Sequence, residues 1–254
     1  MKHSPLADRH LALNAKMADF GGWLMPIEYP QTGAIAEYTA VRQQVGIFDV
    51  SHLGKISVIG EGCIDFINKM VTNDLTKIDT GQAQYTLLCN EDGGVVDDLI
   101  IYRNSDSDLF LIPNASNTTA VFEVLKSNCP AGIKVTNLHN DYAVLAVQGP
   151  DSAKVLSEVG IVADLDYMSF VHTKIDNCPV ILCRTGYTGE FGFEIIPAWK
   201  DAQQVWDKLV LAVSQLSGAI CGLGARDLLR TEMGYPLHGH ELSLTITPVE
   251  AGAG

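Results

Sequence analysis

The most informative segment of the chain is Asn90-Glu91-Asp92-Gly93-Gly94-Val95-Val96-Asp97-Asp98-Leu99-Ile100. β-rich runs lie on both sides of its glycine pair, a pattern that predicts an antiparallel hairpin. Asp97 and Asp98 lie inside the second, apolar strand, where side chains alternate between faces and are expected to point in opposite directions. An ionised carboxylate taken out of water needs a partner or a proton. The pair is therefore a candidate site with one catalytic member, unless both carboxylates simply accept N–H groups of the turn.

Outward from this hairpin, short runs rich in β-branched residues alternate with helix-like segments. Strands are predicted at 55–59, 84–89, 95–102 and 108–112, with helices at 64–71 and 118–126. A second set follows, with strands at 142–147, 170–175, 180–184 and 191–196. Apolar residues then recur at helical spacing over 202–216, which places Trp206 in a core. The mixture lacks a strict βαβ alternation and predicts an α+β fold of mostly antiparallel sheets with flanking helices.

Composition excludes several classes of partner. The 254 residues carry a net charge of −13, which disfavours nucleic acid as a partner because phosphate binding needs clustered Lys and Arg. The six cysteines show no zinc-type spacing and read as reduced thiols, and His238 and His240 have no third ligand at a defined spacing, so no metal is predicted. The sequence has no apolar run of membrane-spanning length and no leader-like start, so a cytoplasmic protein without membrane contact is expected.

Two further motifs contain glycines next to polar residues that are candidates for ligand binding. Arg184-Thr185-Gly186-Tyr187-Thr188-Gly189-Glu190-Phe191-Gly192-Phe193-Glu194 contains three glycines, which indicate either close approach of a ligand or a tight hairpin with positive φ. Gly222-Leu223-Gly224-Ala225-Arg226-Asp227-Leu228-Leu229-Arg230 reads as a glycine turn entering a helix. Arg226 and Arg230 lie four residues apart on one face, where they can clamp a carboxylate. The alternative is that Arg226 pairs within the helix or that Arg230 pairs with a partner strand.

Five segments, taken in order, resemble the aminomethyltransferases, the folate-dependent T-proteins of the glycine cleavage system. The resemblance extends over the whole chain, and five ordered motifs are far more specific than one. The matching segments are Ala15-Lys16-Met17-Ala18-Asp19-Phe20-Gly21-Gly22-Trp23-Leu24-Met25-Pro26, Gly46-Ile47-Phe48-Asp49-Val50-Ser51-His52, Gly93-Gly94-Val95-Val96-Asp97-Asp98-Leu99, Arg184-Thr185-Gly186-Tyr187-Thr188-Gly189-Glu190 and Gly222-Leu223-Gly224-Ala225-Arg226-Asp227.

The resemblance implies the first two domains of a three-domain cloverleaf. A discontinuous folate-binding domain is expected over 1–52 plus 140–245, with an inserted α+β domain over 53–139 that carries the Asp97 strand. Residues 246–254 are expected to begin a C-terminal β-domain that family members have and that this chain is expected to lack.

The resemblance also implies the reaction and its site. An aminomethyl group on the dihydrolipoyl arm of the H-protein gives its methylene carbon to tetrahydrofolate as co-substrate, and ammonia is released. The catalytic aspartate of the family matches Asp97. At position 53 the family commonly has Met, and Leu53 keeps an apolar wall without the sulfur. The implied substrate- and folate-binding residues are Glu194, Arg226, Tyr187, Tyr235, Tyr85, Asn114 and Leu53.

Two alternative functions share the folate scaffold. One is a folate-dependent demethylase that takes one-carbon units from other donors, and a need for the lipoyl carrier protein discriminates against it. The other is a non-catalytic folate-binding relative. Such relatives carry Lys-Gly-Cys-x-x-Gly-Gln where this chain has Arg184-Thr185-Gly186-Tyr187-Thr188-Gly189-Glu190, and the missing cysteine counts against this alternative.

Overall fold

A computed structural model describes residues 1–253 and divides the chain into two compact units. The first unit comprises Met1–His52 and Asp141–Tyr235, and the second comprises Leu53–Asn140 and the segment from Pro236 onward. In chain order the strands are β1 (Lys2–His3), β2 (Lys16–Phe20), β3 (Trp23–Glu28), β4 (Gly46–Asp49), β5 (Ile56–Ile59), β6 (Ala83–Cys89), β7 (Val95–Ser105), β8 (Asp108–Pro113), β9 (Lys134–Asn137), β10 (Leu145–Gln148), β11 (Phe170–Ile175), β12 (Cys178–Cys183), β13 (Gly192–Pro197) and β14 (Ala219–Cys221).

Seven α-helices and two short 3-10 helices complete the described residues. The 3-10 helices span Leu75–Lys77 and Trp199–Asp201. The α-helices are α1 (Ala7–Ala12), α2 (Gly33–Gln43), α3 (Cys63–Asn68), α4 (Thr118–Ser127), α5 (Ser152–Glu158), α6 (Ala202–Gln215) and α7 (Leu223–Glu232).

The first unit is built on a six-stranded sheet in the order β11-β12-β13-β10-β4-β14. Its neighbours pair antiparallel except β14 and β4, which run parallel. A separate three-stranded sheet has the order β1-β3-β2. Helix α6 packs on the large sheet because its apolar residues recur every three to four positions and form one buried face. The buried residues of this helix are Ala202, Val205, Trp206, Leu209, Ala212 and Val213, and the predicted core position of the tryptophan is confirmed.

The second unit contains a five-stranded antiparallel sheet in the order β6-β7-β8-β5-β9. The predicted hairpin is present between β6 and β7. Gly93 supplies the positive φ of its turn, at +85°, and the side-chain oxygen of Asn90 accepts hydrogen bonds from the backbone N–H groups of Asp92 and Gly94. Glycine is favoured there because other residues pay a steric cost in this conformation.

The segment from Pro236 onward packs against the start of β7. The backbone N–H of Val95 donates to the carbonyls of Ser243, at 2.9 Å, and Ile246, at 3.1 Å. Leu242 is fully buried against Leu87 and Val95. Residues 236–245, expected in the first unit, therefore belong to the second, because this apolar contact and these backbone bonds attach them to the hairpin strand.

The expected fold class is confirmed: the chain is α+β, with mostly antiparallel sheets and flanking helices. All six cysteines are free thiols, and four of them are buried. No helix within residues 1–253 combines the length and apolar character that crossing a membrane requires.

Candidate active site

Asp97 lies fully buried on β7 and its carboxylate accepts three hydrogen bonds. The backbone N–H of Asn114 donates to Oδ2 over 2.9 Å, and the Asn114 side chain donates to Oδ1 over 2.9 Å. Asn117 donates from Nδ2 to Oδ1 over 2.7 Å. Asn114 directly follows β8 and Asn117 directly precedes α4, so the short connection between these elements forms the cradle of the carboxylate.

Asp98 is also buried, with 9% of its surface exposed. Its side chain accepts hydrogen bonds from Asn114 Nδ2, over 2.8 Å, and from the Tyr85 hydroxyl, over 3.1 Å. Alternation along the strand predicts separate surroundings for the two carboxylates, but one amide reaches both. The ladder between β6 and β7 skips Val96, and a bulge of this kind adds twist and re-aims neighbouring side chains.

This environment changes the acidity of both carboxyl groups. Burial raises the pKa of Asp97 to about 6, the Asn117 hydrogen bond opposes the rise, and the neighbouring Asp98 charge adds to it. Burial likewise raises the pKa of Asp98, against hydrogen bonds from Tyr85 and Asn114. Asp97 is thereby suited to accept and return a proton near neutral pH.

The first unit holds a second polar cluster, centred on Arg226 of α7. The Arg226 Cζ lies 4.7 Å above the centre of the Tyr187 ring. Its Nη1 is buried and has no hydrogen-bond partner among residues 1–253. Burial lowers the pKa of the guanidinium, while Glu194 and Tyr187 raise it. A buried donor without a partner is costly, so this nitrogen is available to an acceptor atom of a ligand.

Glu194 and a tyrosine pair complete this cluster. Glu194 lies on β13 with 6% of its surface exposed, and the Thr185 hydroxyl donates to its Oε2 over 2.5 Å. The rings of Tyr187 and Tyr235 stack with centroids 5.8 Å apart and planes 29° apart. A carboxylate acceptor, a guanidinium donor and an aromatic pair together suit a flat heterocycle that presents both N–H donors and acceptor atoms.

The three glycines of the 184–194 motif are required for different physical reasons. A Cβ on Gly186 would lie 2.1 Å from the Gln148 side chain, and a Cβ on Gly192 would lie 2.6 Å from it. Only Gly189 of the three has positive φ, at +77°. The hairpin interpretation therefore applies to Gly189, whereas Gly186 and Gly192 are small because Gln148 occupies the space beneath the loop.

Gln148 fixes this loop through buried hydrogen bonds. Its Nε2 donates to the carbonyls of Thr185, over 3.2 Å, and Phe193, over 3.1 Å, and its Oε1 accepts from the Thr188 hydroxyl over 2.9 Å. On its other side the loop is held by Arg42, which donates to the Thr188 carbonyl over 2.7 Å. These contacts position Tyr187 and Glu194 on a rigid support.

Comparison with known proteins identifies the family of this chain. A model of the GCVT N-terminal domain matches residues 6–254. Aminomethyltransferase from Mycobacterium avium (strain 104) is 58% identical over 252 residues, which cover 99% of this chain and 68% of that protein. The chain belongs to the aminomethyltransferase family. A second family member, from Parafrankia sp. (strain EAN1pec), is 57% identical over 254 residues, which cover all of this chain and 70% of that protein.

Solved structures show the same relationship. The crystal structure of glycine cleavage system aminomethyltransferase T from Bartonella henselae is 34% identical, with a TM-score of 0.91 over 99% of this chain and 69% of that one. Heterotetrameric sarcosine oxidase from Corynebacterium sp. U-96 shares the fold alone, with a TM-score of 0.54 and 19% identity over 73% of this chain and 93% of that one. The resemblance read from the five motifs, and with it the aminomethyltransferase class, is confirmed.

The residues expected at an aminomethyltransferase site are divided between the two units. The second unit brings Asp97, Asn114 and Tyr85 into one hydrogen-bonded cluster through Asp98. Leu53 is half-buried at the start of this unit. The first unit brings together Glu194, Arg226, Tyr187 and Tyr235. Arg230 forms an ion pair within α7, where its Nε donates to Asp227 over 2.8 Å.

Three residues that sequence reasoning missed hold these clusters in place. Asn117 had a signal, because it immediately precedes a run with helical periodicity, where a polar side chain is expected. Thr185 lies in the quoted 184–194 motif, nine positions before its partner Glu194, but nothing local distinguishes it there. Gln148 had no signal, since its partner Thr188 lies 40 positions along the chain. Within residues 1–253, no group of three or more His, Cys, Asp or Glu side chains is arranged to hold a metal ion.

Proposed function

We propose that this chain transfers the methylene carbon of an aminomethyl-dihydrolipoyl H-protein to tetrahydrofolate and releases ammonia. The observation that carries the proposal is the buried Asp97 carboxylate, held by three hydrogen bonds with a pKa of about 6. The reaction needs such a group because two protons leave the folate nitrogens N5 and N10. One ends on the dihydrolipoyl sulfur as the carbon–sulfur bond breaks, and the other leaves with ammonia as ammonium.

In this proposal Asp97 accepts a proton from a folate nitrogen and passes it to a leaving group. Its cradle of amide donors fixes the direction of the carboxylate, so the contribution is positional and electrostatic, without a covalent bond to the protein. Asp98, Asn114 and Tyr85 orient and tune this group. A location in the cytoplasm belongs to the same proposal, supported by the free thiols and the bacterial relatives.

The first unit is proposed to recognise the folate itself. The Oε1 of Glu194 would accept hydrogen bonds from the N–H groups of the pterin pyrimidine ring, while Thr185 holds Oε2. Arg226 would donate its unpartnered Nη1 to an acceptor atom of the ligand. Tyr187 and Tyr235 would contact its ring system. Every one of these interactions is of the kind that the pterin's flat, polar edge requires.

Methylenetetrahydrofolate formation from an aminomethyl-loaded lipoyl carrier tests the catalytic role. We expect Asp97→Asn to lower kcat by about 10²- to 10⁴-fold, because the acid–base group is lost. Asp92→Asn is the matched control, since Asp92 is exposed in the same hairpin turn and the charge change is equal. A folded Asp97→Asn protein with unchanged kcat would overturn the role of Asp97, and turnover without the carrier would favour a demethylase.

Calorimetry with tetrahydrofolate tests recognition separately from turnover. Glu194→Gln and Arg226→Met are each expected to weaken binding by about tenfold or more, because each removes a charge-assisted hydrogen bond. Glu158→Gln is the control, at an exposed position on α5. Affinities equal to that of the unmodified chain in both variants would exclude this cluster as the folate site.

A further inference from the structure

Glu37 of α2 is a fully buried carboxylate that the proposed reaction does not use. Its Oε1 accepts a hydrogen bond from the backbone N–H of Tyr29, over 2.7 Å, and another from the Thr32 hydroxyl, over 3.0 Å. Its Oε2 accepts from the backbone N–H of Gly222 over 2.8 Å. Among residues 1–253 it forms no ion pair with a basic side chain. Burying such a carboxylate is costly unless its oxygens are hydrogen-bonded, so these donors hold Glu37 in place.

The hydrogen bond to Gly222 caps helix α7. Gly222 is the N-cap residue of α7 and, as a glycine, has no side chain with which to cap the helix. In a capping box, a Glu or Gln at the third helical position accepts from the N-cap N–H, but that position of α7 is Ala225. Glu37 supplies this carboxylate from a different helix. Its negative charge also lies at the positive end of the α7 dipole, which is a stabilising arrangement.

Close packing explains why α7 takes its cap from another helix. A Cβ on Gly222 would lie 2.2 Å from the Ile27 carbonyl oxygen and 2.6 Å from the Glu28 backbone nitrogen. The residues with side chains that ordinarily cap a helix, Ser, Thr, Asp and Asn, all have a Cβ and are therefore excluded from this position. The backbone of β3 thus limits Gly222 on one side, and the Glu37 carboxylate holds its N–H. Together they fix the start of α7.

Arg226 lies one helical turn beyond this anchor. Its backbone N–H donates to the Gly222 carbonyl over 3.4 Å. Its guanidinium lies over the Tyr187 ring, and its buried Nη1 has no hydrogen-bond partner among residues 1–253. A displacement of the start of α7 would therefore change the direction of this donor. Hydrogen bonds weaken steeply with distance and angle, so the bond from Arg226 to a ligand depends on where α7 begins.

We propose that Glu37 is a positioning residue of the ligand site, which holds the start of α7 so that Arg226 keeps the direction that its bond to the ligand requires. This inference rests on the proposed function, since it takes that ligand to be tetrahydrofolate. Glu37 is fully buried and acts through the helix, without touching the ligand itself.

A double-mutant cycle on the tetrahydrofolate dissociation constant of the full chain tests the inference. Glu37→Gln keeps the shape of the side chain but offers one acceptor oxygen to two backbone N–H groups, those of Tyr29 and Gly222. It is expected to weaken binding by about tenfold, because the hydrogen bond from Arg226 to the ligand is misdirected. In an Arg226→Met background, where that bond is already absent, the same change should have almost no further effect.

An NMR signature of Arg226 and a matched control complete the experiment. The resonance of the Arg226 Nε–H group, assigned by its absence in Arg226→Met, is expected to move in Glu37→Gln without any ligand present. Glu28→Gln is the control, because Glu28 also accepts from a backbone N–H at the start of a helix, that of Ala34 in α2, over 3.4 Å. Its side chain forms no hydrogen bond with α7 within residues 1–253, so the resonance and the dissociation constant should both stay unchanged.

The outcomes separate this inference from the proposed function. Single effects that multiply in the double variant, to about a hundredfold, would show that Glu37 does not act through Arg226, while leaving folate binding intact. A resonance and a dissociation constant that are both unchanged in Glu37→Gln would overturn the inference as well. Binding of no tetrahydrofolate by the folded, unmodified chain overturns the proposed function and this inference with it. If Glu37→Gln does not fold, Glu37→Asp decides by the same cycle, because it keeps the charge but draws the carboxylate back from Gly222.

Discussion

At the scale of a single residue, the proton affinity of Asp97 depends on individual hydrogen bonds. Asn117 donates to its Oδ1 and stabilises the carboxylate, against burial, which favours the acid. We expect Asn117→Ala to raise the pKa of Asp97, so that the acid limb of the kcat–pH profile moves upward by about one pH unit. Kinetics between pH 5 and 9, with an NMR titration of the Asp97 carboxyl carbon, measure this shift.

Asn128 provides the matched control for that variant. It lies at the other end of α4, and its Nδ2 donates to the Val124 carbonyl over 2.9 Å. Asn128→Ala therefore removes a hydrogen bond from a similar side-chain amide on the same helix, without contact with the carboxylate. The kcat–pH profile of this variant should match that of the unmodified chain. An unmoved profile and an unmoved NMR titration in Asn117→Ala would show that this amide does not tune Asp97.

At the scale of an element, the 184–194 loop is shaped by the side chain beneath it. We expect Gly186→Ala to lower the free energy of unfolding by about 1–3 kcal/mol, because the new methyl group meets Gln148. In a Gln148→Ala background the same change should lower the free energy of unfolding by less, because the obstructing amide is absent. Urea unfolding of both single variants and the double variant measures this coupling, and strictly additive effects would contradict it.

The junction between the hairpin and the segment from Pro236 onward is the second test at this scale. A Cβ on Gly94 would lie 1.8 Å from the Leu244 carbonyl oxygen, so Gly94→Ala must displace this backbone. The Val95 bonds to Ser243 and Ile246 would then weaken, and we expect a loss of about 2–4 kcal/mol in the free energy of unfolding.

Gly93→Ala is the comparison for that variant. Gly93 has a φ of +85°, and a Cβ there would meet only the Thr247 methyl group, at 3.6 Å. It therefore measures the cost of positive φ alone, about 1–2 kcal/mol. Hydrogen exchange at residues 242–247 reports the displacement itself, and protection there equal to that of the unmodified chain would contradict the predicted effect of Gly94→Ala.

At the scale of the whole molecule, the two units have buried carboxyl groups with opposite responses to pH. In the first unit, burial of Asp49 is outweighed by hydrogen bonds and charge from His10 and by hydrogen bonds from Ser4 and Ser51, which lower its pKa from 3.8 to about 2. Asp49 therefore contributes about 2 kcal/mol to the free energy of unfolding above pH 4, and this contribution is lost as the pH falls through 2. In the second unit, the pKa of Asp97 is raised from 3.8 to about 6. The Asp97 carboxyl group therefore holds its proton more tightly in the folded chain than in the unfolded chain. The free energy of unfolding falls by about 3 kcal/mol as the pH rises from 4 through 6.

Hydrogen exchange resolved by residue distinguishes these two responses. Between pH 4.5 and 7, after correction for intrinsic exchange rates, protection of β7 and β8 should fall while the Asp49 contribution in the first unit stays constant. Asp97→Asn should remove most of this difference. Equal pH dependence of β7 and β8 in the unmodified and variant chains would show that Asp97 does not carry it.

Local sequence patterns determined the fold class and the family of this protein. The hairpin at Gly93, the periodicity of α6 and the five ordered motifs depend on residues close together in the chain. They can therefore be recognised in the sequence alone. The motifs also name Asp97, Glu194 and Arg226 as candidates, although their roles stay predictions.

Only the tertiary structure decided how these residues are supported. The cradle of Asp97 joins β7 to residues 17 and 20 positions away, and Gln148 meets Thr188 40 positions along the chain. The attachment of Ser243 to Val95 likewise appears only once the strands are paired. Periodicity and turn preferences report the local backbone, whereas hydrogen bonds and ion pairs between distant residues form only after the sheets bring them together.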